Sequence, residues 1–156
     1  MSTTQILPDP PTAMLKAVHG EIKELFARYD SLRPEEGTAR KAVVQDLQEL
    51  LRVHLQIEEA LFYPAVQNMQ SDLAIKVVMK ALQDHRTIKG LLEELKALSL
   101  ENQSLDLKMG ELQECLFAHL QAEEAEIFLH VRALPPETLG ELGSEMEKLR
   151  DRLLGG

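Results

Sequence analysis

Apolar positions recur at helical spacing along most of the 156-residue chain. Leu15, Val18, Ile22, Leu25, Phe26 and Tyr29 form one stripe, and Leu47, Leu51, Leu61 and Phe62 a second. Val78, Leu82, Ile88, Leu92 and Leu95 form a third, and Leu112, Leu116 and Ile127 a fourth. Steps of three and four put each set on one face of an α-helix. Breakers separate the stripes. Pro8, Pro10 and Pro11 precede Thr12, a candidate N-cap; Ser31–Thr38 holds Pro34 and Gly37; Asn68–Asp72 is polar and offers Ser71 as a cap. Ser99–Ser104 is polar again, and Pro135 and Pro136 close the last long segment. The pattern predicts helices over 12–32, 36–68, 71–98 and 104–133, with a shorter one over 136–153. Pro64 predicts a kink, or the end of the regular part, in the second. Short loops make neighbouring helices antiparallel, so the expected fold is all-α, an up-down-up-down four-helix bundle with a short extra C-terminal helix outside it. The expected division is a flexible segment 1–11, a bundle 12–133, and a short helix and tail 134–156.

Composition agrees and narrows the class. Leu, Ala, Glu, Lys and Gln dominate, and aromatic residues make up 4% of the chain. The formal net charge of -9 excludes a nucleic-acid binder, which needs clustered Lys and Arg. One cysteine cannot form an internal disulfide. No apolar run approaches the ~20 residues of a membrane span. Met1–Pro11 lacks the basic start and apolar stretch of a signal peptide. The expectation is a soluble, cytoplasmic, acidic single domain with no membrane partner, its oligomeric state left open.

The second half repeats the first. His54-Leu-Gln-Ile-Glu58-Glu59-Ala60 returns 65 positions later as His119-Leu-Gln-Ala-Glu123-Glu124-Ala125. His19-Gly-Glu-Ile22-Lys23 returns 66 positions later as His85-Arg-Thr-Ile88-Lys89. Each half therefore reads as a helical hairpin, with a lone His on its first helix and His-x-x-x-Glu on its second. His and Glu at i and i+4 share a helix face one turn apart. The four histidines also lie in the apolar stripes: His19 between Leu15 and Ile22, His54 after Leu51, His85 between Leu82 and Ile88, His119 after Leu116. Counted from the loops at ~1.5 Å per residue, each histidine lies roughly 20–25 Å along its helix. All four then meet at one level, and His19, His54, Glu58, His85, His119 and Glu123 can converge on one buried point.

About one residue in eight is Glu, so a single His-x-x-x-Glu carries little weight, and a lone inward His is ordinarily a hydrogen-bonded core residue. A purely structural bundle has no reason to bring four imidazoles and two carboxylates to one depth, because unpaired buried carboxylates cost several kcal/mol each. Nitrogen and carboxylate donors without thiolate suit iron, manganese or zinc. Six donors are too many for one tetrahedral zinc. Two metals sharing the carboxylates would each have two His nitrogens, two Glu oxygens and about two open positions.

The order His, His-x-x-x-Glu, His, His-x-x-x-Glu on four successive helices resembles the hemerythrin-like, or HHE cation-binding, domain family over residues 12–133, including Leu61-Phe-Tyr-Pro64. The resemblance implies a non-haem centre of two iron ions in a four-helix bundle, with manganese or zinc as substitutes. His19 and His54 would bind one iron and His85 and His119 the other, with Glu58 and Glu123 bridging. The oxygen-carrying members have a second His one turn after the third-helix ligand, where this chain has Lys89. They also have an Asp five residues after the last-helix His, where this chain has Glu123 at four. The implied function is therefore binding or sensing of a small diatomic or peroxidic ligand (oxygen, nitric oxide or peroxide) at an open iron position. The alternatives are a di-iron enzyme with catalase- or peroxidase-like activity, an iron-handling protein, or a metal-free helical interaction module. Ferritin-like bundles place Glu three residues before His. Lys16, Leu51, Leu82, Leu116 and Ile127 stand there instead and exclude that family. The iron–sulfur-repair members add N-terminal cysteines, which this chain lacks.

Four further residues or pairs complete the reading. Cys115, four before His119, is expected to be a small core residue rather than a ligand, since its repeat counterpart is Leu50. His130 is expected at a helix end. Glu59 and Glu124, turned about 100° from Glu58 and Glu123, face an interface or solvent by default, or accept from a ligand imidazole. Tyr29 and Tyr63 are candidate donors to a metal-bound oxygen, with hydroxyls that the sequence does not place.

Overall fold

The computed structural model describes residues 9–98 and 103–155. The expected flexible segment therefore lies outside them for residues 1–8, as does most of the polar stretch after Leu98. The helices are α1 (Pro10–Ser31), α2 (Gly37–Ile57), α3 (Tyr63–Gln67), α4 (Asp72–Ala97), α5 (Ser104–Ala122), α6 (Phe128–Arg132) and α7 (Pro136–Leu153). Two π-helical turns, π1 (Glu58–Phe62) and π2 (Glu123–Ile127), join α2 to α3 and α5 to α6 without a break. Four rods result (α1, α2–π1–α3, α4, α5–π2–α6) in the up-down-up-down order expected, with α7 laid against α1 and α2. Among the described residues, no helix is long and apolar enough to cross a membrane.

Helix ends reflect local chemistry. Asp9 caps α1, its carboxylate accepting from the Thr12 amide at 2.9 Å and the Thr12 hydroxyl at 2.7 Å, and Pro10 takes the first helical position. The helix thus starts two residues before the expected cap, because Asp9 supplies a better acceptor and Pro10 and Pro11 fit a first turn. Ser71 caps α4, as its position implied. His130 lies in the last turn of α6.

Pro64 does not cause the interruption in the second rod. The regular ladder already changes at π1, where the Tyr63 amide donates to the Glu58 carbonyl five residues back. In π2 the Phe128 amide does the same to Glu123, and Leu129 occupies the position equivalent to Pro64. Each π turn inserts one residue and rotates the helix on its C-terminal side. Phe62, Tyr63 and Val66 therefore face inward while Leu61 is only partly buried, a different stripe from the one a continuous α-helix predicts.

The core forms two apolar clusters. One holds Ile22, Phe26, Leu47, Leu51, Ile88, Leu92, Leu112 and Leu116. The other holds Leu15, Ile57, Phe62, Val78, Ile127, Phe128 and the inner face of α7. On every rod the histidine lies between a residue of one cluster and a residue of the other. Cys115 packs against the first cluster as a free thiol, and burial, followed by the Asp84 charge, holds its pKa up.

α7 is tied to α1 by a close approach. A Cβ added at Gly143 would lie 2.6 Å from the Pro10 Cβ, whereas one added at Gly140 meets nothing within 4 Å. Gly143→Ala should therefore cost about 1–3 kcal/mol through overpacking. Gly140→Ala should stabilise by about 0.5–1 kcal/mol through helix propensity. Urea unfolding of the two variants checks this; equal effects would contradict the contact.

Candidate metal centre

The six residues singled out from the repeat converge. His19, His54, Glu58, His85, His119 and Glu123 are each no more than 2% exposed. Among the described buried polar and charged residues, only Thr12 and Arg40 lie outside this set. Two groups form, His19, His54, Glu58 and Glu123, and Glu58, His85, His119 and Glu123. In each, one ligand atom per residue lies within 4.8 Å of all the others. Both contain both carboxylates.

The distances show the sharing. Glu58 Oε1 is 3.1 Å from His85 Nε2 and 3.4 Å from His54 Nε2. Glu123 Oε1 is 3.1 Å from His19 Nε2, and its Oε2 is 3.5 Å from His119 Nε2. The rings of His19 and His54 are 5.0 Å apart and those of His85 and His119 4.9 Å, both edge to face. Several of these atoms lie close without hydrogen-bond alignment. His19 Nε2, His54 Nε2, Glu58 Oε2 and Glu123 Oε1 are buried and have no hydrogen-bond partner. Buried polar atoms are normally satisfied, so donors aimed at a shared space rather than at each other fit a cation.

Residues outside the six fix the rings. His19 Nδ1 donates to Glu124 at 2.8 Å, His85 Nδ1 to Glu59 at 2.8 Å, and His119 Nδ1 to Asp84 at 3.1 Å. A carboxylate only accepts, so each of these Nδ1 atoms carries a proton, and the ring's Nε2 is left facing the centre. Glu59 and Glu124 thus accept from histidines rather than facing away. The π turns make this possible, since a widened turn brings two successive glutamates to bear on the bundle interior. Lys89, standing where oxygen carriers have a further His, points outward and bonds Glu59 Oε1 at 2.8 Å. It steadies the acceptor of His85.

Of the tyrosines, Tyr63 faces the cluster and Tyr29 does not. The Tyr63 hydroxyl donates to Glu123 and lies 3.1 Å from His85 Nε2 and 3.4 Å from His119 Nε2. Its repeat counterpart, Phe128, stacks on His19 with centroids 5.9 Å apart. Tyr29 sits at the other end of the bundle, where it donates to Asp106 at 2.6 Å and accepts from Arg40. Neither group includes Cys115.

Burial and the two carboxylates pull the histidines in opposite directions. Burial opposes protonation of His119, but the Glu123 and Glu58 carboxylates outweigh it and raise its pKa to about 11. His54 is pushed down to about 4 by burial. Glu123 is pushed up by burial and by the Glu58 charge, so protons balance part of the negative charge where a metal would otherwise do so.

The hemerythrin HHE cation binding domain matches residues 11–131. The chain belongs to the hemerythrin HHE cation-binding family. A crystal structure of a hemerythrin HHE cation binding domain-containing protein from Mycobacterium kansasii is similar, with 26% identity and a TM-score of 0.74. The match covers 90% of this chain and 85% of that one. No curated protein shows significant similarity. The HHE match spans all four rods and all six converging residues, leaving α7 outside it.

Asp84 was missed from the sequence because it lies beside His85 but serves His119 on the next rod. Its signal was a break in the repeat, since the first half has Val18 there. Tyr63→Phe keeps the packing that Phe128 shows is tolerated but leaves Glu123 one donor short. It should cost the metal-free protein about 1–3 kcal/mol, read by urea unfolding.

Proposed function

We propose that this HHE protein is a non-haem di-iron protein that binds or senses a small diatomic or peroxidic ligand at an open iron position. The observation that carries the reading is the shared use of Glu58 and Glu123 by two His pairs, with His19 Nε2, His54 Nε2, Glu58 Oε2 and Glu123 Oε1 buried among them and unpaired. His19 and His54 would hold one ion and His85 and His119 the other, with both carboxylates bridging. Four protein donors per ion would leave room at each for a small ligand. Iron suits the nitrogen and carboxylate set and supplies reversible binding of oxygen, nitric oxide or peroxide; manganese and zinc suit the same donors.

The chain's own groups shape what such a ligand meets. The Leu, Ile and Phe clusters above and below exclude bulk water from the level of the histidines. Glu59, Glu124 and Asp84 hold three rings with Nε2 turned toward the centre. Tyr63 brings a hydroxyl to the centre and can donate to a ligand on the His85 and His119 side. Phe128 offers no such donor beside His19.

Protein prepared with iron should contain two irons per chain by metal analysis. Its visible spectrum should change on adding oxygen, nitric oxide or peroxide, and it should melt at a higher temperature than the metal-free form. His54→Ala should lower the iron content. Iron near zero in a folded wild-type chain, with equal melting temperatures, would overturn the reading. Sustained oxygen evolution from peroxide, faster than by free iron, would replace ligand binding with an enzymatic role.

A further inference from the structure

The first and second halves agree at every converging residue but differ around one ring. Three of the four histidines give their outer nitrogen to a carboxylate, Glu124, Glu59 or Asp84. His54 Nδ1 has no partner although the residue is only 2% exposed. The repeat explains the gap. Asp84, which serves His119, has Val18 as its counterpart, and Cys115 beside His119 has Leu50. His54 lines a cavity of about 230 Å³ together with Met14, Val18, Leu50, Val53 and Leu154. Glu21 and Arg150 also line it, and neither hydrogen-bonds His54.

We infer that the two metal positions are unequal, the His85 and His119 position binding its ion more tightly than the His19 and His54 position, and that Asp84 is the positioning residue responsible. This rests on the two-metal reading above. A carboxylate on the outer nitrogen does three things: it fixes the ring's orientation, selects the tautomer with its lone pair on Nε2, and strengthens that nitrogen as a donor. Both rings of one position have such an acceptor, and only His19 has one in the other. His54 must settle its tautomer and orientation without help, since the one carboxylate lining its cavity, Glu21, does not bond it. Glu58 and Glu123 serve both positions, so they do not create the difference. The position completed by His54 is the one that fills second and empties first.

The test adds cobalt(II) stepwise to the metal-free full-length protein and monitors its visible absorption and heat of binding. Wild type should take up two equivalents in two steps separated by about tenfold or more. Asp84→Asn should weaken the first step by ~10–100-fold and bring the two together. Val18→Asp, which offers His54 the missing acceptor, should strengthen the second step. Lys80→Met removes the surface ion-pair partner of Asp84 and should leave both steps in place, separating the bond to His119 from a merely structural role. Coupling through the bridging carboxylates can itself split the uptake of a symmetric pair, but Asp84→Asn would then shift both steps together and overturn the inference. Two indistinguishable equivalents in wild type would overturn it as well, leaving the two-metal reading intact. No cobalt uptake by a helical wild-type chain would overturn both. If Val18→Asp fails to fold, the selective loss in Asp84→Asn decides alone.

Discussion

Two carboxylates at mid-height in an apolar bundle need opposite charge nearby, since each unpaired one costs several kcal/mol. Glu58 and Glu123 are the negative centre that the surrounding residues answer. Four imidazoles face them, three of those imidazoles are held from behind by further carboxylates, and Lys89 holds one of these carboxylates in turn. The apolar clusters above and below confine the charge to one layer, where low dielectric strengthens each contact within it. The same confinement makes the layer selective for something positive, whether protons on the histidines or a pair of cations.

The approximate two-fold makes this layer possible, and its breaking gives the layer direction. Both halves contribute a lone His, a His-x-x-x-Glu and a π turn, so Glu58 and Glu123 are equivalent in residue type and backbone position. The surroundings are not. One side has the Tyr63 hydroxyl and Asp84 where the other has the Phe128 ring and Val18. A ligand arriving between the histidine pairs would meet a proton donor on one side and hydrocarbon on the other.

The rods and the six converging residues were legible because they rest on periodicity. Steps of three and four gave the helices, and the repeat of His54 and Glu58 in His119 and Glu123 marked the layer before any contact was known. What escaped depends on phase or on contacts between rods. A π turn shifts the amide partner by one residue and leaves composition unchanged, so nothing in Glu58–Phe62 announces it, yet it decides that Tyr63 rather than Leu61 turns inward. Asp84 serves a histidine on the neighbouring rod, where intrahelical spacing says nothing. Asp9 took the cap expected of Thr12 because two prolines fit a first turn as well as a linker. Lys89 read as a missing ligand, and its bond to Glu59 was visible only once the fold brought the two side chains together.

The bond from His19 to Glu124 joins residues 105 positions apart and so encloses most of the chain. Helical turns close within four or five residues and form quickly, whereas contacts of such separation carry the largest loop-closure entropy. Other bonds that link the first hairpin to the second through the polar layer are shorter in span, Tyr63 to His119 at 56 positions and His85 to Glu59 at 26, and they too need both hairpins in place. The layer is therefore a late event in folding: apolar faces can bring the rods together early, but the ring tautomers and carboxylate orientations are settled only when both hairpins are in register. An ion that arrived after that moment would meet donors already aligned and act as a rivet across a loop of 105 positions.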